Sequence, residues 1–192
     1  MEARAPMTRR FVLLDRDGTI NQEVDHLDQP DQVQLIPGAG AALRHLRSAG
    51  LGLVVLTNQA NVGRGLLPPD RLEEIHARLA ALLSDEGVRL DGLYACAHAP
   101  DDGCDCRKPR AGLALRAATD HGFRPADAFV VGDHAADMGL GRAIGAITIL
   151  VRTGHGEDEL ATGAGDQADH IVADLEEAAG VILDIVLSGA RR

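Results

Sequence analysis

The chain is nearly without lysine: 18 of its 19 basic residues are arginine, and Lys108 is the exception. A planar guanidinium and a compact ammonium do different work, so the one departure from arginine marks a point charge with a task. Positive charge is scarce overall, with a formal net charge of −10 and a pI near 5.1. That balance excludes nucleic acid and an anionic membrane surface as main partners, and any anionic substrate has to meet a local cationic cluster. No apolar run approaches the roughly 18 residues of a membrane span, and the run beginning at Phe11 stops at Asp15, short of a signal-peptide core. A cytoplasmic location is expected. The three cysteines, an odd number, all fall between Cys96 and Cys106, which suits a metal cluster better than a disulfide framework.

What is present is enough chain, 192 residues at 45% hydrophobic content, for one domain (1–192) with a full core. Repeats, low-complexity stretches and interdomain linkers are missing. Phe11 to Leu14 reads as a buried strand that runs into Asp15-Arg16-Asp17-Gly18-Thr19. In extended backbone, residues two apart point the same way, so Asp15 and Asp17 converge while Arg16 turns aside. A divalent cation relieves their repulsion, and oxygen-only ligands favour Mg2+. Taken alone, the same motif also fits an ordinary surface turn.

Strand and helix signals then alternate. Asn21 to Ile36 reads as a loop; a helix follows from Pro37-Gly38 to about Ala49, then a strand at Leu51 to Leu56 ending in Thr57-Asn58-Gln59. Asn61 to Leu67 is expected to be a mobile turn. Pro68 to Gly87 carries leucines at helical spacing, which is core packing. A short strand, Asp91 to Ala95, leads into the cysteines, and a helix is expected from Pro109 to near Gly122. The next apolar run, Ala128 to Val131, enters Gly132 to Asp137, and helix, glycine and strand repeat once more through Gly145 to Val151. Arg152 to Gln167 reads as a long loop with Arg152 solvated, and a strand at His170 to Val172 precedes a helix capped by Asp174 and Glu177. The expected fold is α/β, a three-layer arrangement with a mainly parallel sheet.

In such a sheet the ligands sit beyond the carboxyl ends of the strands. Asp15 and Asp17, Thr57, and Asp133 with Asp137 each follow a strand, and Lys108 precedes a helix. Together they assemble acids for a cation, a hydroxyl and one fixed positive charge. That set fits phosphoryl transfer, which is largely positioning and electrostatic stabilisation, with one carboxylate able to form an aspartyl phosphate. Separately, Cys96, His98, Cys104 and Cys106 provide three sulfurs and a nitrogen within eleven residues, enough for a closed tetrahedral zinc site. A closed site has a structural role, stiffening the loop that delivers Arg107 and Lys108.

With these motifs in order from Leu13 to Asp137, the chain resembles the haloacid-dehalogenase (HAD) superfamily phosphatases. The resemblance implies that Asp15 is the nucleophile, that Asp17 protonates the leaving oxygen and then activates water, that Thr57 holds phosphoryl oxygens, and that Lys108 neutralises the transferred group. It implies Mg2+ on Asp15, Asp133 and the main-chain carbonyl of Asp17, with Asp137 in the outer shell. The short interval between the first two motifs leaves no room for a large cap. The zinc cluster, with Asp15 to Asn21, Thr57 to Gln59, Cys106 to Pro109 and Val151 to Gly154, is similar to the subfamily of D-glycero-D-manno-heptose 1,7-bisphosphate 7-phosphatases and histidinol-phosphate phosphatases. Gly63 to Gly65 and Val151 to Gly154 are closer to the heptose enzymes.

The expectation is therefore removal of the 7-phosphate of the heptose bisphosphate, a small phosphorylated metabolite, by a monomer. The resemblance sets Asn21, Glu23, Val24, Asn58 and Gln59 against the sugar. Arg64, Arg107 and Arg110 are candidates for a second anion site. His134 stands where heptose relatives usually carry lysine, and an imidazole there holds an anion less firmly. The other histidines, 26, 45, 76, 121, 155 and 170, have no paired ligand spacing and are expected on the surface or in loops. Two alternatives remain: a histidinol-phosphate phosphatase or other small sugar-phosphate phosphatase, and a silent zinc-stabilised binding module that releases no phosphate.

Overall fold

The computed structural model describes residues 9–189; the segment 1–8, where no signal core was expected, and residues 190–192 lie outside it. Among the described residues, strands β1 (Phe11–Leu14), β2 (Gly52–Asn58), β3 (Gly92–Cys96), β4 (Phe129–Gly132), β5 (Ile147–Val151) and β6 (His170–Val172) form one parallel sheet in the order β3-β2-β1-β4-β5-β6. The chain moves outward from β1 to β3, then returns to pair β4 on the other side of β1. The switch point therefore lies between β1 and β4, where crevices form at strand ends.

Successive residues of β1 face opposite sides of the sheet. Val12 and Leu14 pack with α1 (Ala39–Ser48), α3 (Pro69–Asp85) and α7 (Leu175–Ser188). Phe11 and Leu13 pack with α4 (Gly112–His121) and with Leu140 of α5 (Ala135–Ile144). Both faces are covered, which is why the strand is apolar throughout and not alternating. The three expected layers are present, with no large cap between β1 and β2.

Several local expectations are corrected. Arg152 to Gln167 is not a plain loop: it carries α6 (Gly156–Ala161) and a 3-10 turn, Ala164–Gln167. Glu157, Asp158 and Glu159 fill the first turn of α6, where negative charge favours a helix, but six residues are too few to show an apolar period. Asn61 to Leu67 begins inside α2 (Ala60–Gly63) and is tied down, with the amides of Leu66 and Leu67 both bonded to the Asn61 carbonyl. The helix expected from Pro109 starts at Gly112. Asn21 to Ile36 contains a 3-10 turn, Pro30–Gln32, and buries Leu27 and Val33. As expected, Asp174 caps α7 by accepting from the amides of Glu176 and Glu177.

Candidate active site

The strand ends bring the expected residues to one place. The Asp15 amide continues the ladder to Val131 O, at 2.9 Å, so its side chain enters the crevice between β1 and β4. A cavity of about 250 Å3 opens there, lined by Asp15, Asp17, Thr57, Lys108, Asp133 and Asp137 among others. Lys108 is only 4% exposed. Its three donors are all used: Asp137 Oδ1 at 2.6 Å, Asp15 Oδ1 at 2.9 Å and Leu56 O at 2.7 Å. Asn58 brackets its main chain, accepting from Lys108 N at 3.0 Å and donating to Lys108 O at 3.2 Å. Burial works against the ammonium, but Asp137 and Asp15 outweigh it and hold its pKa above the ordinary lysine range.

Asp15, Asp133 and Asp137 each offer an oxygen within 4.8 Å of the others. Burial, then repulsion from Asp137, pushes Asp15 up to about 7. Burial, then repulsion from Asp15, does the same to Asp133, which also reaches about 7. Asp137 is raised by burial, against the pull of Lys108. One lysine cannot balance three converging carboxylates; a hard divalent cation fits them in charge and donor type.

Two glycines make room for Asp133. A Cβ on Gly18 (φ +70°) would lie 2.1 Å from Asp133 Oδ2, and one on Gly154 (φ +58°) 2.2 Å from it, so both positions need glycine for space and conformation. The loop after β5 closes over the loop after β1: Thr153 Oγ1 donates to Gly18 O at 2.6 Å, and the His155 amide to Asp133 Oδ2 at 2.8 Å. Thr57 is 1% exposed at the cavity floor and accepts from Gln59 Nε2 at 2.8 Å.

Asp17 is held differently from Asp15. Arg16 does not turn aside but lies buried and grips Asp17, with Nη2 at 2.6 Å from Oδ2 and Nε at 3.0 Å from Oδ1. Asn21 donates to Oδ1 at 2.9 Å and Gln59 to Oδ2 at 3.0 Å. Burial opposes the charge on Asp17, yet Arg16 and these amides hold its carboxyl below the usual range. Asn21 and Gln59, expected against the sugar, thus spend their amides on Asp17, and Asn21 is fully buried. No period or spacing in the sequence marks Arg16 as part of the site.

Glu23, Asn58, Arg107, His134 and His155 line the cavity, His155 from the exposed turn after β5. His134 bonds Glu159 at 2.9 Å, and its ring centroid lies 6.4 Å from that of His155. His76 is an exception to the surface-or-loop expectation: it lies half-buried in α3, where burial and then Arg16 lower it to about 4. Val24 lines an adjoining cavity of about 180 Å3 with Glu23, Gln59 and Arg16. Arg64 and Arg110 line neither; Arg110 donates to the Cys104 carbonyl, strapping the cysteine loop. Arg152 pairs with Glu157 at 2.9 Å on the surface.

The second cluster sits beside β3. Cys96 Sγ lies 3.6 Å from Cys104 Sγ and 3.1 Å from Cys106 Sγ, and His98 Nδ1 lies 3.2 Å from Cys106 Sγ. Zn–S bonds of about 2.3 Å give tetrahedral edges near 3.8 Å, so small shifts close the site around zinc. Burial and neighbouring thiols push Cys106 up to about 12, a load that a zinc ion would remove by binding thiolate. Arg107 and Lys108 follow directly, so the cluster fixes the loop carrying the buried ammonium.

Comparison with known proteins agrees with this geometry. Residues 105–178 match the HAD-hydrolase-like family. The chain is 38% identical to the D-glycero-beta-D-manno-heptose-1,7-bisphosphate 7-phosphatase of Pseudomonas putida over 80% of this chain and 89% of that one. Identity with the enzyme of the same name from Bordetella bronchiseptica is 34%, over 91% and 98%. The crystal structure of D,D-heptose 1,7-bisphosphate phosphatase from B. bronchiseptica, complexed with magnesium and phosphate, superposes with a TM-score of 0.85 at 33% identity, covering 91% of this chain and 98% of that one. For the corresponding Burkholderia thailandensis structure the TM-score is 0.70 at 32% identity, over 91% and 99%. With its sheet order, its strand-end acids and relatives of this likeness over most of their length, the chain belongs to the HAD-like phosphatases, in the group of the heptose 1,7-bisphosphate 7-phosphatases.

Proposed function

We propose that this protein removes the 7-phosphate of D-glycero-D-manno-heptose 1,7-bisphosphate through an aspartyl phosphate on Asp15. The observation that carries this reading is the convergence of Asp15, Thr57, Lys108 and Asp133 on one cavity at the switch point of the sheet. Arg16 N and Lys108 Nζ both bond Asp15 Oδ1, which leaves Oδ2 to attack phosphorus. Asp17, ionised in the resting site, takes a proton from the incoming phosphate monoester and, as the P–O bond to the sugar breaks, passes it to the leaving oxygen. Asp17 then takes a proton from water as that water attacks the same phosphorus, releasing phosphate and restoring the Asp15 carboxylate. Thr57 holds a phosphoryl oxygen, and Lys108, fixed by Asp15 and Asp137, keeps its positive charge beside the transferred group. Asp15 and Asp133, with the Asp17 carbonyl and Asp137 near them, would hold Mg2+, which would supply further positive charge for the transferred group.

Arg107, whose Nη1 is buried without a partner, faces the cavity and suits the second phosphate of a bisphosphate. Zinc on Cys96, His98, Cys104 and Cys106 is structural. The protein acts as a single domain and a monomer in the cytoplasm, on a small phosphorylated sugar, without nucleic acid or membrane. Its net charge of −10 supports that choice of partners, and among the described residues no helix is long and apolar enough to cross a membrane.

The test is phosphate release by the purified protein with Mg2+ over heptose bisphosphate, sugar monophosphates and histidinol phosphate. The bisphosphate should have the highest kcat/KM, and Asp15→Asn should lower release by at least about 10^3-fold. A preference for histidinol phosphate, whose ammonium would suit the Glu23 carboxylate at the cavity mouth, would reassign the substrate.

A further inference from the structure

The Asp17 carboxylate accepts hydrogen bonds from three side chains. Arg16 supplies two parallel donors, Nη2 to Oδ2 at 2.6 Å and Nε to Oδ1 at 3.0 Å. Asn21 and Gln59 add one each, at 2.9 and 3.0 Å. Arg16 itself is 1% exposed, the largest fully buried side chain described, and its Nη1 has no partner. Burying a guanidinium is costly, and leaving one of its nitrogens unpaired adds to that cost. The residues that form this cradle come from three places: the acidic turn itself, the start of the following loop, and the end of β2.

From this geometry we infer that Arg16 is a positioning residue for the acid-base step: its fork fixes the plane of the Asp17 carboxylate, and Asn21 and Gln59 complete the cradle. Arg16 does not line the 250 Å3 cavity and only borders the adjoining one of about 180 Å3; its guanidinium bonds the Asp17 carboxylate. A lysine would offer a point charge with no planar match, so the fork is what the position requires. The inference rests on the proposed role of Asp17 as acid and base.

The experiment is single-turnover formation of the aspartyl phosphate by Arg16→Met, Arg16→Lys, Gln59→Ala and Asp17→Asn, with two substrates. A sugar phosphate has an alkoxide leaving group that needs a proton; p-nitrophenyl phosphate leaves without one. A rate constant, unlike an amplitude, does not depend on the fraction of molecules that fold. Arg16→Met should slow the sugar phosphate by about 10^2-fold, within the usual range for a general acid, and the aryl phosphate by less than about 10-fold. KM should stay near its wild-type value, Arg16→Lys should recover part of the rate, and Gln59→Ala should show a smaller loss with the same substrate dependence. Adding Arg16→Met to Asp17→Asn should cost nothing further. Equal losses on both substrates, unchanged rates, or an additional loss in the double variant would each overturn the positioning role. If Asp17→Asn itself slows both substrates equally, the acid role of Asp17 fails instead, and the two failures are distinguishable.

Discussion

Lys108 owes its place to what it neutralises. With Asp15 and Asp137 both bonded to a 4%-exposed ammonium, Lys108→Met leaves two buried carboxylates facing each other. Breaking a buried pair in this way costs about 3–5 kcal/mol, so urea unfolding of the metal-free variant should show a loss of that size, and added Mg2+ should return part of it. Phosphate release should fall on the order of 10^3-fold. The carboxylates also impose a pH dependence. Asp15 and Asp133 reach about 7 in the fold, against an ordinary aspartate value of 3.8. Between those values the metal-free folded protein binds more protons than the unfolded chain, so its stability is highest below the lower value and falls as pH rises through the upper one. Mg2+ binds the deprotonated form. The difference in Tm between the Mg2+-loaded and metal-free protein should therefore widen from about pH 5 to about pH 8; a difference that narrows would contradict it.

At the scale of elements, the segment from β3 to α4 depends on its cysteines. Between Cys96 and Gly112 it has only one 3-10 turn, Pro100–Asp102, and it is held by the sulfur cluster, by Arg110 on the Cys104 carbonyl and by Asn58 on the Lys108 main chain. Removing zinc with a chelator should raise hydrogen exchange across residues 97–110 and abolish most phosphate release while the sheet stays protected, because β1, β2 and β4 are held by their own ladder and by helices on both faces. Uniform loss of protection would give the cluster a global role. The same scale shows which elements could be read early. α3 was legible because Leu72, Ile75, Leu79 and Leu83 repeat a helical period over seventeen residues. α6 was not, because its one turn and a half contains no repeat, and its stability comes from acids at its first turn and from the loop it closes.

Across the whole molecule, core and site are separate along the strands. Phe129 begins β4, is fully buried, and has the Arg10 guanidinium 4.2 Å above its ring. The reacting groups lie past Gly132, three residues or about 10 Å further on. Phe129→Ala should thus cost about 3–5 kcal/mol in urea unfolding while the single-turnover rate constant of folded molecules stays within about 2-fold. An apolar strand running into a pair of acids, a lone lysine, and three cysteines with a histidine are local patterns, and they were enough to read the α/β class and which acids, lysine and sulfurs stand together, since strand ends of a parallel sheet share one edge. What could not be read from local pattern is where polar side chains meet across long intervals of chain. Gln59 reaching Asp17 from the end of β2 and the His155 amide closing over Asp133 follow from packing between segments far apart, whereas Arg16 on Asp17 and Arg110 on the Cys104 carbonyl are short-range contacts that carry no periodic signal. Hydrophobic period fixes which face a residue is on; it carries no information about which distant polar group will stand opposite, and that is settled when the loops after β1, β2, β4 and β5 converge.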